Sequence, residues 1–179
     1  MRIRRADPER DAAACAAIYA PYVLGEATSM EEDAPGAAEI AARIRRLAPT
    51  HPWLVAEVGG EVVGYAYGSP HAERAGYRWT VDLAVYVRPD HHRSGVARRL
   101  YEELLACLRA QGFRTACAIV TLPNEASVAF HEALGFVPVG VFRRAGWKGG
   151  AWRDVGWWQL DLTPGQEEPP AEPSPPSQT

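Results

Sequence analysis

A chain of 179 residues has room for one domain of ordinary size, and 47% hydrophobic against 23% charged residues is the balance of a protein with a real core in water. The formal net charge of −3 is accounted for by Glu167, Glu168 and Glu172 near the C-terminus, so residues 1–162 carry as many bases as acids, which excludes a nucleic-acid partner held by a broad positive field. The sequence has no apolar run of membrane-spanning length, and Met1-Arg-Ile-Arg-Arg5 leads into a charged segment, so neither a membrane partner nor a secretory signal is expected. Cys15, Cys107 and Cys117 form no C-x-x-C pair, which argues against a disulfide framework or a cysteine zinc site and for a reducing, cytoplasmic location.

Residues 2–5 read as a short strand. Asp7 followed by Pro8 has the pattern of an N-cap and first helical residue, opening a helix that runs to about Tyr22. A second helix over 35–48 stops at Pro49. Residues 53–58 and 62–68 flank Gly59-Gly60, a hairpin signal. Over 77–88, Tyr77, Trp79, Val81, Leu83, Val85 and Val87 alternate with Arg78, Thr80 and Asp82, which predicts a strand with one apolar and one polar row. A glycine-containing loop leads to a helix over 94–111 with a core stripe of Val96, Leu100, Leu104 and Leu108, stopped by Gly112. A strand over 115–120, a helix over 123–134 ending at Gly135, and strands over 137–144 and 152–162 follow. Residues 1–162 therefore form one α/β (α+β) domain, a mixed sheet with helices on both faces. Residues 163–179 hold six of the fifteen prolines and too little apolar surface to offset their ordering entropy. They are expected to be a disordered tail, with a polyproline ligand beginning at Pro169 as the alternative.

Two segments carry chemistry. Asp90-His-His-Arg-Ser-Gly-Val-Ala97 joins a strand to a helix, where unpaired N–H groups at the positive end of the helix offer a phosphate site. Gly95 and Ala97 let a ligand approach the backbone, and Arg93 and Arg98 add charge. The segment matches neither the P-loop nor the dinucleotide fingerprint, and a plain strand–helix connection is the alternative. Further on, Asn124, Ser127 and His131 stand at i, i+3 and i+7, a polar stripe opposite Ala126, Phe130, Ala133 and Leu134.

These elements in this order resemble the GNAT acetyltransferases. The family's acetyl-CoA loop, Q/R-x-x-G-x-G/A, is matched from His92 through Gly95 to Ala97, with His replacing the first Gln or Arg. Tyr65-Ala-Tyr-Gly68, Tyr77-Arg-Trp-Thr80, Val85-Tyr-Val87, Leu122-Pro-Asn-Glu125, His131-Glu-Ala-Leu-Gly-Phe136 and Trp152-Arg-Asp-Val-Gly-Trp-Trp-Gln-Leu160 resemble its phosphinothricin acetyltransferase branch, over roughly residues 2–162. The resemblance implies a central, mostly antiparallel sheet flanked by helices, acetyl-CoA as co-substrate with no metal, a homodimer, and a small-molecule amine as acceptor. Phosphinothricin, methionine sulfoximine and methionine sulfone, acetylated on the α-amino group, are the compounds it suggests.

Residue by residue, the resemblance implies that main chain of Val85, Tyr86 and Val87 pairs with the pantetheine arm. Loop N–H groups of Arg93, Ser94, Gly95, Val96, Ala97 and Arg98 would hold the pyrophosphate, and Asn124 and Ser127 would border the pantetheine. His131 would protonate the departing thiolate as an imidazolium. Asp82 would take the proton of the substrate ammonium; it stands where the family usually has the longer glutamate, and its structural alternative is a partner for Arg78. Arg74 and Arg78 would clamp a substrate carboxylate, with Thr80 and Met30 on the acceptor side. Met30 and Ala20-Pro21 depart from the branch's usual Phe and Asn-His. Trp147, Trp152, Trp157 and Trp158 read chiefly as packing, and Lys148 and Asp154 as candidates near the acceptor. Two further readings stay open: an acetyltransferase for another primary amine, and a non-catalytic acyl-CoA-binding module.

Overall fold

The computed structural model describes residues 1–25, 27–168 and 171–177. In chain order its elements are β1 (Arg2–Arg5), α1 (Ala12–Leu24), α2 (Ala37–Leu47), β2 (Trp53–Val58), β3 (Glu61–Pro70), β4 (Thr80–Val87), α3 (Val96–Gln111), β5 (Thr115–Leu122), α4 (Glu125–Glu132), β6 (Val137–Lys148) and β7 (Ala151–Asp161). The strands form one sheet in the order β1-β2-β3-β4-β5-β7-β6. Every neighbouring pair is antiparallel except β4 and β5. A parallel pair needs a crossover connection, and α3 supplies it.

Period-two alternation along the strands gives each face its own core. On one face the predicted stripe of Val96, Leu100, Leu104 and Leu108 is buried against Val81, Leu83, Ala116 and Ala118, and Phe130 of α4 and Leu134 just beyond it pack on this cluster. On the other, α1 and α2 pack Ile18, Ile40 and Ile44 over Val55 and Tyr65. Gly112 ends α3 in the left-handed region at φ 96, its N–H returning to the carbonyls of Leu108 and Arg109. Among the described residues, no helix is long and apolar enough to cross a membrane.

Three boundaries differ from expectation by more than two residues. Helix α1 begins at Ala12 and not at Pro8, because the Asp7 carboxylate accepts the N–H of Glu9 at 2.8 Å in a turn while its own N–H donates to Asp11 Oδ2 at 2.7 Å. Strand β4 begins at Thr80, because Ala75–Tyr77 forms a tight turn in which Tyr77 N–H donates to Arg74 O at 2.9 Å and Arg78 N–H to Ala75 O at 3.2 Å. Arg78 therefore stands before the strand and does not share the row of Thr80 and Asp82. The last two strands form one long hairpin turning at Gly149-Gly150, both at positive φ.

The C-terminal stretch is the remaining difference. Residues 171–177 lie against the domain: Gln111 and Ser174 exchange main-chain and side-chain hydrogen bonds, Trp79 Nε1–H donates to Ala171 O at 3.0 Å, and Arg5 Nε–H to Ser177 O at 2.9 Å. Pro169 and Pro170, the start of the polyproline alternative, lie outside the described residues.

Candidate active site

Strands β4 and β5 are paired only where residues 80–83 meet 115–118. Beyond that point β4 continues to Val87 with β3 as its partner, and β5 continues to Leu122 with β7. The sheet therefore forks, and two strand edges face each other across a gap. The Val87 carbonyl accepts from Tyr22 Oη at 2.6 Å and from His92 Nε2 at 3.0 Å, which puts the main-chain groups of Val87 on the fork side. Alternation gives Val85 the same direction. Tyr86 is different: its main chain faces β3, opposite Tyr65, and its ring packs on Tyr19 and Tyr22 with centroids 4.6 and 5.1 Å away. Of the three residues expected to offer main chain to pantetheine, Val85 and Val87 face the fork and Tyr86 does not.

The loop beside the fork has the geometry expected of an anion cradle. Arg93 and Gly95 take positive φ, 58 and 84, which turns successive N–H groups into the start of α3. Gly95 is the N-cap and offers no side-chain cap, and the first helical bond runs from Arg99 N–H to Gly95 O, leaving the N–H groups of Val96, Ala97 and Arg98 ahead of the ladder. Val96 buries its side chain, so its contribution is backbone alone. Ser94 Oγ–H donates to His91 O at 2.6 Å, and Arg98 pairs with Glu102 at 2.9 Å.

Helix α4 turns its polar stripe inward. Asn124 Oδ1 caps the helix by accepting Ser127 N–H at 3.1 Å. Ser127 O accepts from His131 Nδ1 at 2.7 Å, and Tyr101 Oη lies 3.1 Å from His131 Nε2. His131 is 6% exposed and sits among Tyr101, Phe130 and Phe136. Burial pushes its pKa below the usual value, with the Ser127 bond opposing. This setting favours a neutral ring that donates from Nδ1 and accepts from Tyr101, not the imidazolium expected from sequence.

At the base of the fork, Asp82 stands opposite Ser69 on β3 and opposite Cys117 on β5. His71, just past the end of β3, places Nδ1 2.7 Å from Asp82 Oδ1. Its ring meets Trp157 and Tyr77 edge-on, with centroids 5.7 and 5.9 Å away. Burial raises the Asp82 pKa while the His71 hydrogen bond opposes the rise, and burial with the nearby Asp82 charge pushes the Cys117 thiol up to about 11. Sequence reasoning missed His71. The available signal was the β3–β4 register, which puts Ser69 and then His71 on the side of Asp82.

Arg78 is not the partner of Asp82. Its Nε–H donates to Ala75 O at 2.7 Å, its guanidinium lies 4.9 Å over the Trp79 ring, and it pairs with Glu172 of the C-terminal stretch. Arg74, Arg78, Thr80 and His71 line a cavity of about 360 Å³ that is walled on one side by residues 172–175. A second cavity of about 360 Å³ is lined by Thr28, Thr121, Asn124 and Arg153, at the far end of β5. Met30 packs its sulfur against Gly146 of β6, where a Cβ would stand 2.7 Å from it. Lys148 Nζ donates to Glu31 O and Asp154 accepts Arg144 N–H at 2.8 Å, so both hold the β6–β7 hairpin in place. Trp158 is core, whereas Trp147 and Trp152 are exposed and pack on each other at 5.5 Å.

The model of the acetyltransferase (GNAT) family matches residues 16–136, a span that contains the fork, the α3 cradle and α4. The chain belongs to this family. Among relatives of this GNAT enzyme, phosphinothricin N-acetyltransferase of Streptomyces viridochromogenes is 48% identical over 132 residues, 74% of this chain and 69% of the relative. L-methionine sulfoximine/L-methionine sulfone acetyltransferase of Pseudomonas paraeruginosa is 38% identical over 120 residues, 66% of this chain and 70% of the relative. The crystal structure of a GNAT superfamily phosphinothricin acetyltransferase from Sinorhizobium meliloti, in complex with AcCoA, superposes with a TM-score of 0.90 at 33% identity, covering 96% of this chain and 93% of that one.

Proposed function

We propose that this acetyltransferase uses acetyl-CoA to acetylate the α-amino group of a small amino acid or analogue, of the kind its relatives are named for: phosphinothricin, methionine sulfoximine or methionine sulfone. The observation that carries the reading is the fork, with donor and acceptor groups of Val85 and Val87 along one wall, the α3 cradle beside it and the Asp82–His71 pair at its base. The pantetheine arm adds to β4 as a strand would, and the pyrophosphate takes the N–H groups of Val96, Ala97 and Arg98 with Arg93 nearby. The cofactor supplies the activated acetyl group.

The amine nitrogen attacks the thioester carbonyl, the C–N bond forms and the C–S bond breaks. The ammonium proton passes to Asp82 and is shared with His71, whose ring extends the reach of a carboxylate that is about 1.5 Å shorter than glutamate. The second proton of the attacking nitrogen, lost as the amide forms, passes to the departing thiolate, which leaves beside α4, where His131 is bonded to Tyr101. Arg74 and Arg78 receive the acceptor's carboxylate in the cavity they share with His71; Arg78 releases Glu172 to do so.

A thiol-release assay tests this reading. Phosphinothricin or methionine sulfone should turn over, the decarboxylated amines should be much poorer, and Arg74→Ala should raise KM for the amino acid while leaving that for acetyl-CoA nearly unchanged. The Arg78–Glu172 pair favours a second reading, transfer to an amine without a carboxylate; equal turnover of an amino acid and its decarboxylated analogue would establish it and remove the clamp.

We also propose a homodimer. Val137, Val139, Val141, Phe142, Trp147 and Trp152 are each at least 47% exposed along β6 and β7, an apolar face that a second copy would cover. A sedimentation profile that stays monomeric at every concentration would remove this proposal. Cytoplasmic action is in keeping with acetyl-CoA use and with Cys15, Cys107 and Cys117 as free thiols.

A further inference from the structure

Three neighbouring strands bring three different metal-ligating side chains to one point on the sheet. Asp82 on β4 and Cys117 on β5 are register partners in the parallel pair, so their side chains rise from the same face side by side. His71 arrives from the end of β3, on the other flank of Asp82. One ligand atom from each, a ring nitrogen, a carboxylate oxygen and the thiol sulfur, all lie within 4.8 Å of one another. Donor atoms around a tetrahedral zinc ion stand roughly 3.5 Å apart, with zinc about 2.0–2.3 Å from each, so side-chain adjustments of about an ångström would close the set. The backbone under two of the donors is sheet, and Trp157 and Tyr77 hold the His71 ring edge-on. His71 and Asp82 keep 24% and 20% of their side-chain surface in solvent, which gives an ion a way in and leaves a fourth position for water.

We propose that His71, Asp82 and Cys117 form a binding site for a zinc-class divalent cation, and that filling it switches off acetyl transfer. Mixed nitrogen, oxygen and sulfur donors select zinc and softer ions over magnesium or calcium, which take oxygen alone. Binding releases one proton: the Cys117 thiol loses its proton to solvent and coordinates as thiolate, while the neutral His71 ring keeps its proton on Nε2, so that the Nδ1 lone pair and the Asp82 carboxylate turn to the ion. The acetyl transfer itself needs no metal. A cation here consumes the lone pairs that accept the ammonium proton, so its effect is inhibition. The inhibitory half rests on the proposed function; the binding half does not.

The test uses the full-length protein, stripped of metal with a chelator and titrated with Co²⁺. One equivalent should produce a thiolate-to-cobalt charge-transfer band, and Zn²⁺ should displace it. Cys117→Ser should abolish the band and weaken zinc at least tenfold, Cys107→Ser should leave both unchanged, and His71→Ala should weaken zinc while keeping the band. A wild-type protein without the band, or Cys117→Ser binding zinc as tightly as wild type, overturns the site. In turnover, low micromolar Zn²⁺ should cut the wild-type rate at least tenfold, reversibly by chelator, and should leave Cys117→Ser close to its own metal-free rate. Zinc bound at one equivalent with the wild-type rate unchanged overturns the inhibitory half. Should no amine be acetylated by the metal-free enzyme, the transferase reading falls while the cobalt titration still decides the site.

Discussion

In the proposed mechanism Asp82 and His71 share the task that the resemblance assigns to one longer side chain, and their separation makes the division testable. Asp82→Ala should lower kcat by about 10²–10⁴, the usual range for a lost general base, with the acetyl-CoA-induced rise in melting temperature retained. From sequence alone, Asp82→Glu would be expected to keep or raise activity. The structure reverses this: Nδ1 of His71 already stands 2.7 Å from Oδ1, so an added methylene displaces the ring. Asp82→Glu should be slower than wild type, and adding His71→Ala should recover part of the loss, a coupling read from the four rates of a double-mutant cycle. Asp82→Glu alone running faster than wild type would remove His71 from the mechanism. Asp82 was legible as a charge in the polar row of its strand, and its role as base came from the resemblance alone. His71 was not, because its approach depends on which residue of β3 faces which residue of β4. Arg78 misled for a related reason: alternation continues through residues 77–79, and the pattern of side chains carries no trace of the hydrogen bonds that fold them into a turn.

Elements positioned by their ends give the next set of expectations. Helix α4 spans eight residues and depends on the Asn124 cap. Asn124→Ala should cost about 1 kcal/mol in urea unfolding, and Asn124→Asp only a few tenths, since its carboxylate still accepts from Ser127 N–H. A raised KM for acetyl-CoA in Asn124→Asp, at unchanged stability, is the signature of a further contact between the amide and the cofactor. At the start of α3, Gly95 holds φ 84 with open space around it, so Gly95→Glu introduces backbone strain and a negative charge where the cradle faces an anion. Acetyl-CoA should no longer raise the melting temperature of that variant, and an undiminished shift would take the loop out of the binding site. The α3 stripe was fully legible, all four residues being buried. The α4 stripe was legible as a stripe but not in its direction. Helical spacing says which residues share a face, and only packing against α3 and Tyr101 says that this polar face looks inward.

At the scale of the whole molecule, Arg4 ties β1 to α1 and β2. Its guanidinium takes both oxygens of the buried Asp11 at 2.6 and 2.8 Å and reaches Glu57 at 3.0 Å. Burial alone would raise the Asp11 pKa, but hydrogen bonds from Arg4 and from the Asp7 N–H, with the charges of Arg4 and Arg10, hold it below the usual carboxylate value. Arg4 lowers Glu57 in the same way, and Arg43 lowers Glu31. Carboxylates with depressed folded pKa values contribute stability that is complete above the unfolded range and is lost as pH falls through the folded values. The melting temperature should therefore begin to fall below about pH 6.5, where the buried His131 and His51 take up protons more readily in the unfolded chain, and fall more steeply below about pH 4 as these carboxylates are protonated. Asp11→Asn should lower it at neutral pH and flatten the acid limb, and an equally steep limb would exclude Asp11 as its source. Arg4→Ala, which leaves a buried acid alone, should cost about 3 kcal/mol. The fork, finally, bears on aggregation. Unsatisfied strand edges are where foreign polypeptides attach, and the outer edge β1 carries three arginines in four residues that discourage such attachment. The edges inside the fork have no such guard, but they lie within the sheet, each across from the other, and not at its rim, where another sheet could dock edge to edge.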